Sequence, residues 1–425
     1  MKTTLATAAI AFLCHGAMAQ GTPGGLPPGD PESAGVSRER LQHVMQILEG
    51  EVNAGRLAGA VFGLERHGKV VWLQATGYRD KAAHAPLAVD ALFPLASMTK
   101  PIASVAAMTL VEQGKIALRD PLSKYLPAFK GVRAAKEPQG GAPGTPGPIA
   151  TEPLARPITI QDLLRHTAGL VSGNLFTRTP VRAAYIDAGV YREPETLAEE
   201  VDKIATLPLA YQPGTRWDYS QSVDVLARVV EVVSGKSFDQ VVAETVTGPL
   251  KMSDTTYNVS EANQPRVAQP LPLPNGALPP HQDTTKTTGH FQGNSGLVGS
   301  APDYLRFMAM LLGRGTLDEV RVLGGGTVDL MRSDALGPIP HDTESGEYLL
   351  GAGYGFGLGF SVRLADGESA WEGTKGAFGW GGAYGTQFVV DPARDMAAVL
   401  MVNQLNQFPH ILELFNTLVY QTMTD

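Results

Sequence analysis

Proline has no N–H and is tolerated only in the first turn of a helix. Pro101, followed by the apolar run Ile102 to Val111, therefore places a helix start near Ser97. Residues three apart share a helical face, so Ser97 and Lys100 point the same way, hydroxyl beside amine. The run Ile102, Ala103, Val105, Ala106, Ala107, Met108, Leu110, Val111 is apolar nearly all round. That pattern marks a buried helix rather than an amphipathic surface one. A chain built this way must fold around the helix and hold its first turn still, with a nucleophile next to a possible base. Ser-x-x-Lys occurs once in the sequence and alone would equally describe an N-cap followed by a solvated lysine. Its setting and the motifs downstream decide between the two.

A chain of 425 residues with 43 % hydrophobic and 18 % charged side chains is long enough for two lobes around a sizeable core. The net charge of −8 and the lack of any basic cluster argue against a nucleic-acid partner. The start, Met1-Lys2, then Leu5 to Leu13, then Ala17-Met18-Ala19, has the form of a secretory signal peptide over 1–19, cut after Ala19. The expected location is secreted or periplasmic. The single cysteine, Cys14, falls inside that leader, so the mature chain has no disulfide or thiol chemistry. No later stretch reaches membrane-spanning length.

Residues 20–35, rich in Gly and Pro, read as a tether. Leu41, Val44, Met45, Leu48 and Val52 follow helical spacing behind Ser37 as N-cap, and Ala60–Glu65 and Val70–Thr76 read as a hairpin. Ala134 to Pro157 reads as a Pro/Gly-rich surface insertion, and Gln264 to Pro280 as a second proline-laden loop. Both loops are expected to shape specificity. Thr159-Ile160-Gln161-Asp162 has capping-box form, and His166 is expected to serve the end of that helix rather than chemistry. Tyr219 precedes a helix whose inward positions are Val223, Leu226, Ala227, Val230 and Val233, and Pro302 to Leu312 forms another helix. Gly355–Arg363, Gly376–Trp380, Thr386–Val390 and Met396–Asn403 are strand-like, and a last helix spans roughly Pro409 to Met423. Strands at both ends with helices between predict an α+β fold: one antiparallel sheet from both chain ends (about 36–94 and 346–425), flanked by helices, and a mostly helical lobe (about 95–345). Ser97 then lies where the lobes join.

Ser97-Met98-Thr99-Lys100, Tyr219-Ser220-Gln221 and Trp380-Gly381-Gly382 stand in this order, with Asp162 to Leu170 and Gly381 to Thr386 as lesser matches. Together they resemble the serine β-lactamase and penicillin-recognising superfamily, specifically the class C-like branch containing family VIII carboxylesterases. The resemblance runs from about residue 35 to the end and implies a β-lactamase-like fold. The chemistry asks for the same residue types. A serine hydroxyl needs a base, Lys100 can hold or relay its proton, and a nearby cation favours ionisation of Tyr219. Tyr219 is expected as general base and later acid, a role the resemblance also implies; which of Lys100 and Tyr219 first takes the proton stays open. The helix-start amide of Ser97 is one natural oxyanion donor. By resemblance the second is Ala383.

Gln221, Trp380, Gly381 and Gly382 are expected to bind substrate, the glycines by allowing close approach to the strand edge. Relatives that act on lactams or D-amino-acid peptides usually carry Lys-Thr-Gly at the third motif. Here Trp380 replaces that cation, which suits a neutral small-molecule ester. The alternatives are the same mechanism on a β-lactam or D-amino-acid peptide, and a silent binding protein. No Gly-x-Ser-x-Gly elbow, His-Glu-x-x-His or dinucleotide fingerprint occurs, so no cofactor or metal is expected. Nothing in the residues speaks to the oligomeric state.

Overall fold

The computed structural model describes residues 25–136, 149–172, 179–190, 196–340, 350–405 and 407–425. The leader and Cys14 lie outside them. Helix α1 (Arg38–Asn53) starts where the Ser37 hydroxyl accepts the Arg40 N–H, and it buries Leu41, Val44, Leu48 and Val52. Strands β1 (Gly59–Arg66) and β2 (Lys69–Asp80) form the expected hairpin, turning at His67 and Gly68 with φ of 55° and 73°. That is the primed-turn geometry whose twist matches paired strands. β3 (Ala85–Pro86) pairs with β2. The described part of the expected tether, residues 25–35, is packed on the domain: Leu26 is buried, Gly29 donates to the Val70 carbonyl, and Thr424 donates to the Gly35 carbonyl.

Helix α2 (Thr99–Glu112) is buried on every face as its composition requires, but it begins two residues later than Ser97, which sits in a 3-10 turn over Ala96–Met98. α2 packs against α4 (Ser222–Ser234), as does α3 (Ile160–Leu164), which carries the expected capping box. Strands between these helices are only two or three residues long. The expected insertion is smaller than 134–157: Arg133–Ala135 pairs with Thr151–Pro153, and Ala134 is fully buried. Residues 137–148 of it lie outside the described residues. α5 (Ala301–Leu312) corrects the lobe boundary, because it packs on β1 and on the late strands rather than among the other helices.

The expected single run Gly355–Arg363 is two short strands, β4 (Tyr354–Phe356) and β5 (Ser361–Arg363), folded back at Gly359, whose φ is 101°. Glycine alone adopts that φ without strain. β6 (Phe378–Gly381), β7 (Gln387–Asp391) and β8 (Met396–Val402) follow. The eight strands form one antiparallel sheet in the order β4-β5-β6-β7-β8-β1-β2-β3. The chain ends meet at the β8–β1 pair, from Ala60↔Val402 to Arg66↔Met396, and both strands are wholly buried. α1 and α6 (Phe408–Tyr420) cover one face of the sheet, and α5 covers the other.

Candidate active site

Ala96 adopts φ 45°, a left-handed conformation that costs a non-glycine residue of order 1–3 kcal/mol and persists only where neighbours over-determine it. They do so here. Leu95 donates to the Leu297 carbonyl at 2.8 Å, Met98 donates back to Leu95 at 2.9 Å, and the Tyr304 hydroxyl donates to the Met98 carbonyl at 3.0 Å. The strained turn presents Ser97, half-buried between the buried Ala96 and Met98. One turn on, the Lys100 ammonium donates to the Ser97 Oγ at 3.1 Å and to the Asn294 carbonyl at 2.9 Å, with only 4 % of the residue exposed. The spacing of Ser97 and Lys100 on one face is therefore realised as contact.

Tyr219 reaches the same point from the segment before α4. Its ring centroid lies 4.5 Å from the Lys100 Nζ, and its hydroxyl accepts the Trp380 indole N–H at 3.3 Å. The neighbouring Asp218 anchors the segment through a buried ion pair with Arg182 at 2.7 Å. His166 ends α3 as expected, with φ 55°, but it also packs its ring 4.9 Å from that of Tyr219. Complete burial, and then the Lys100 charge, hold its imidazole well below its ordinary pKa. It therefore stands as a neutral wall behind the phenol.

Trp380 lies on β6, half-buried, opposite Phe388. After it Gly382 donates to the Thr386 carbonyl at 2.7 Å and Gly385 to Gly382 at 2.8 Å, a tight turn that leaves Ala383 exposed. Ser97, Tyr219, Trp380, Gly381 and Ala383 line one cavity of about 360 Å³. Two expected substrate contacts are placed elsewhere. Gly382 is off the cavity wall; a Cβ there would lie 2.5 Å from the Leu95 carbonyl and would meet Thr386 Oγ1, so its smallness lets the turn pack on the nucleophile segment. Gln221 is 7 % exposed and its Nε2 donates inward, to Asp224 at 3.1 Å and Glu200 at 3.3 Å. From the N-cap position of α4 its amide thus turns to two buried carboxylates and away from the cavity.

Those carboxylates were missed from the sequence. The Asp224 Oδ1 accepts the Asn294 backbone N–H at 2.8 Å, and Asn294 in turn holds Lys100 through its carbonyl. Glu200 takes the His290 imidazole at 2.6 Å. Burial, and then the Glu200 charge, push the Asp224 carboxyl well above the usual carboxylate range. Gln221 and Asp224 are three apart at the start of a predicted helix, a spacing that could have been noticed. Asn294, in a glycine-rich loop, carries no such signal. Among the described residues no cluster of His, Cys, Asp and Glu could hold a metal ion, and no helix is long and apolar enough to cross a membrane.

A β-lactamase family model matches residues 40–418. The chain belongs to the β-lactamase family. It is 37 % identical over 365 residues to an uncharacterized protein of Mycobacterium tuberculosis (strain CDC 1551 / Oshkosh), covering 82 % of this chain and 86 % of that one. It is 32 % identical over 385 residues to esterase EstB of Burkholderia gladioli, covering 84 % and 88 %. The solved structure of EstCE1, a hydrolase with promiscuous acyltransferase activity, superposes with TM-score 0.73 at 28 % identity over 90 % of this chain and 98 % of that one. The β-lactamase-like fold and the family read from the three motifs are thus both found.

Proposed function

We propose that this serine ester hydrolase of the β-lactamase type cleaves carboxylic esters of small and medium acyl groups through an acyl-Ser97 intermediate. We further propose that it is exported behind a leader removed after Ala19. The observation that carries the ester reading is Trp380: a neutral indole that donates to the Tyr219 hydroxyl stands at the position expected of a carboxylate-binding lysine. In the proposed cycle the Ser97 Oγ attacks the ester carbonyl carbon as its proton passes to the Lys100–Tyr219 pair, with the ammonium 3.1 Å from Oγ. The carbonyl oxygen becomes an oxyanion facing the Ser97 and Ala383 N–H groups. Collapse breaks the C–O bond, and the departing alkoxide takes a proton from Tyr219. Water then attacks the acyl-Ser97 carbonyl, giving its proton to the same pair, and releases the acid with the serine hydroxyl restored.

The test is hydrolysis of p-nitrophenyl acetate and butyrate beside a chromogenic cephalosporin, with wild type and Ser97→Ala. The expected result is ester turnover that falls at least about a thousandfold in the variant, the scale set by removing a nucleophile, and weak cephalosporin turnover. Cephalosporin turnover exceeding ester turnover would instead assign a lactamase. N-terminal sequencing of the exported chain, expected to begin at Gln20, checks the leader.

A further inference from the structure

The cavity does not stop at Ser97. Side chains alternate across a strand, and on β6 Phe378 and Trp380 face the side carrying Ser97 and Tyr219, whereas Ala377, just before β6, faces α6 and packs in one cluster with Ile411 and Phe415. Gly379 and Gly381 share the Ala377 side and put no side chain there. The pairing of β5 with β6 ends at Ser361↔Gly379, so among the described residues Trp380 and Gly381 have a strand neighbour only in β7. The cavity that holds Ser97 and Trp380 also touches Gln387, Val389, Leu412, Phe415 and Tyr420. It therefore folds over this open edge and continues between the sheet and α6.

The far limb is walled by the apolar Val389, Leu412 and Phe415 and by the polar Asn416, Tyr420 and Gln387; Asn416 and Tyr420 donate within the chain, to the Leu412 carbonyl and to Asp391. Gln387 is 2 % exposed, its side chain lies across Gly381, and its Nε2 has no hydrogen-bond partner. A Cβ at position 381 would stand 2.6 Å from that nitrogen. A buried donor left unpaired is costly, and because Gln387 lines the cavity an acceptor placed in the limb would relieve it. A cavity of about 360 Å³ is at the small-ligand end of binding sites.

We propose that the limb between β6 and α6 is a subsite for an extended apolar arm of the ester, with a carbonyl, ether or hydroxyl oxygen along that arm accepting from Gln387 Nε2. This rests on the ester-hydrolase reading. The arm belongs to the acyl or the alcohol half, since either can leave Ser97 over the same edge. Gly381 and Gly379 keep the passage open, and α6 forms its outer wall.

Leu412→Trp narrows the limb, and Gln387→Met removes the donor at similar shape. For Leu412→Trp the octanoate-to-acetate ratio of kcat/KM for p-nitrophenyl esters falls at least tenfold if the arm is acyl. The octyl-to-ethyl ratio among acetate esters falls by as much if the arm is alcohol. In Gln387→Met the ratio for the all-carbon arm rises at least threefold over wild type. Binding of p-nitrophenyl octanoate and of octyl acetate to the Ser97→Ala protein is measured by calorimetry in parallel, and the ester that occupies the limb binds at least tenfold more weakly when Leu412→Trp is added. Ratios and binding that do not move in either variant overturn the subsite, even where ester turnover is healthy. If the wild type turns over no ester, the ester reading fails, and binding to the Ser97→Ala protein alone then decides the subsite; no binding overturns it.

Discussion

Trp380 touches the chemistry through one atom. Its indole N–H donates to the Tyr219 hydroxyl at 3.3 Å, while its ring packs 5.4 Å from the phenol and 5.3 Å from Phe356. The donor fixes where the phenol oxygen sits, with the Lys100 Nζ 4.5 Å from the ring centroid. Trp380→Phe keeps a smaller apolar ring on the wall and removes the N–H. A neutral hydrogen bond contributes about 0.5–1.5 kcal/mol net, so kcat/KM for p-nitrophenyl acetate is expected to fall about 2- to 12-fold. The thermal midpoint should stay close to that of wild type. A loss of a hundredfold or more would mean that the indole does more than orient Tyr219. Ser97, Lys100 and Tyr219 were legible because their spacing and neighbours are local properties. The inward turn of Gln221 was only half legible: Asp224 lies three residues on, but Glu200 joins it only when α4 packs.

At the scale of elements, the nucleophile turn is held by the β6–β7 connection as much as by its own helix. The Thr386 Oγ1 donates to the Leu95 carbonyl at 3.4 Å, and Gly382 lies against the same carbonyl. Gly382→Ala forces a Cβ to within 2.5 Å of that oxygen, so either the strand turn or the segment bearing Ser97 must shift. Overpacking of this kind costs about 1–3 kcal/mol. A lower thermal midpoint is expected together with at least a tenfold loss of kcat/KM. Gly326→Ala is the control, because at this helical position a Cβ meets nothing within 4 Å, so activity should stay at wild type and the thermal midpoint should not fall. Equal effects in the two variants would sink the clamp. Periodicity revealed the long elements, and the fold-back at Gly359 escaped it because two three-residue strands are too short to show alternation. α5 was found as a helix but misplaced, since ten of its twelve residues are buried and a helix buried nearly all round names no single neighbour.

For the whole molecule, the decisive joint is β1 against β8, where two chain segments more than 300 residues apart pair over seven positions. Joining the ends in one sheet was readable from strand-like runs at both termini, whereas a buried acid on that joint was not. Glu65 sits at the end of β1, 1 % exposed, with its Oε1 accepting from Gly68 and its Oε2 unpartnered. Burial, opposed by the Gly68 hydrogen bond and assisted by the Asp395 charge, pushes its carboxyl up to about 7. Asp395 itself is paired with His67 at 2.7 Å. A carboxyl whose folded pKa is raised binds its proton more tightly in the native state, so stability falls as pH rises from the unfolded value near 4.5 to about 7. Below that window the penalty is absent, and above it the penalty is complete, of order 3 kcal/mol at 1.36 kcal/mol per pKa unit. Asp303, raised to about 6 by burial, adds to the same slope. Glu65→Gln keeps the acceptor for Gly68 and cannot ionise. Urea midpoints measured at pH 5 and pH 8 should fall less across that interval in the variant than in wild type, with the variant's advantage greater at pH 8. Parallel losses in the two proteins would show that the Glu65 carboxyl does not set this slope.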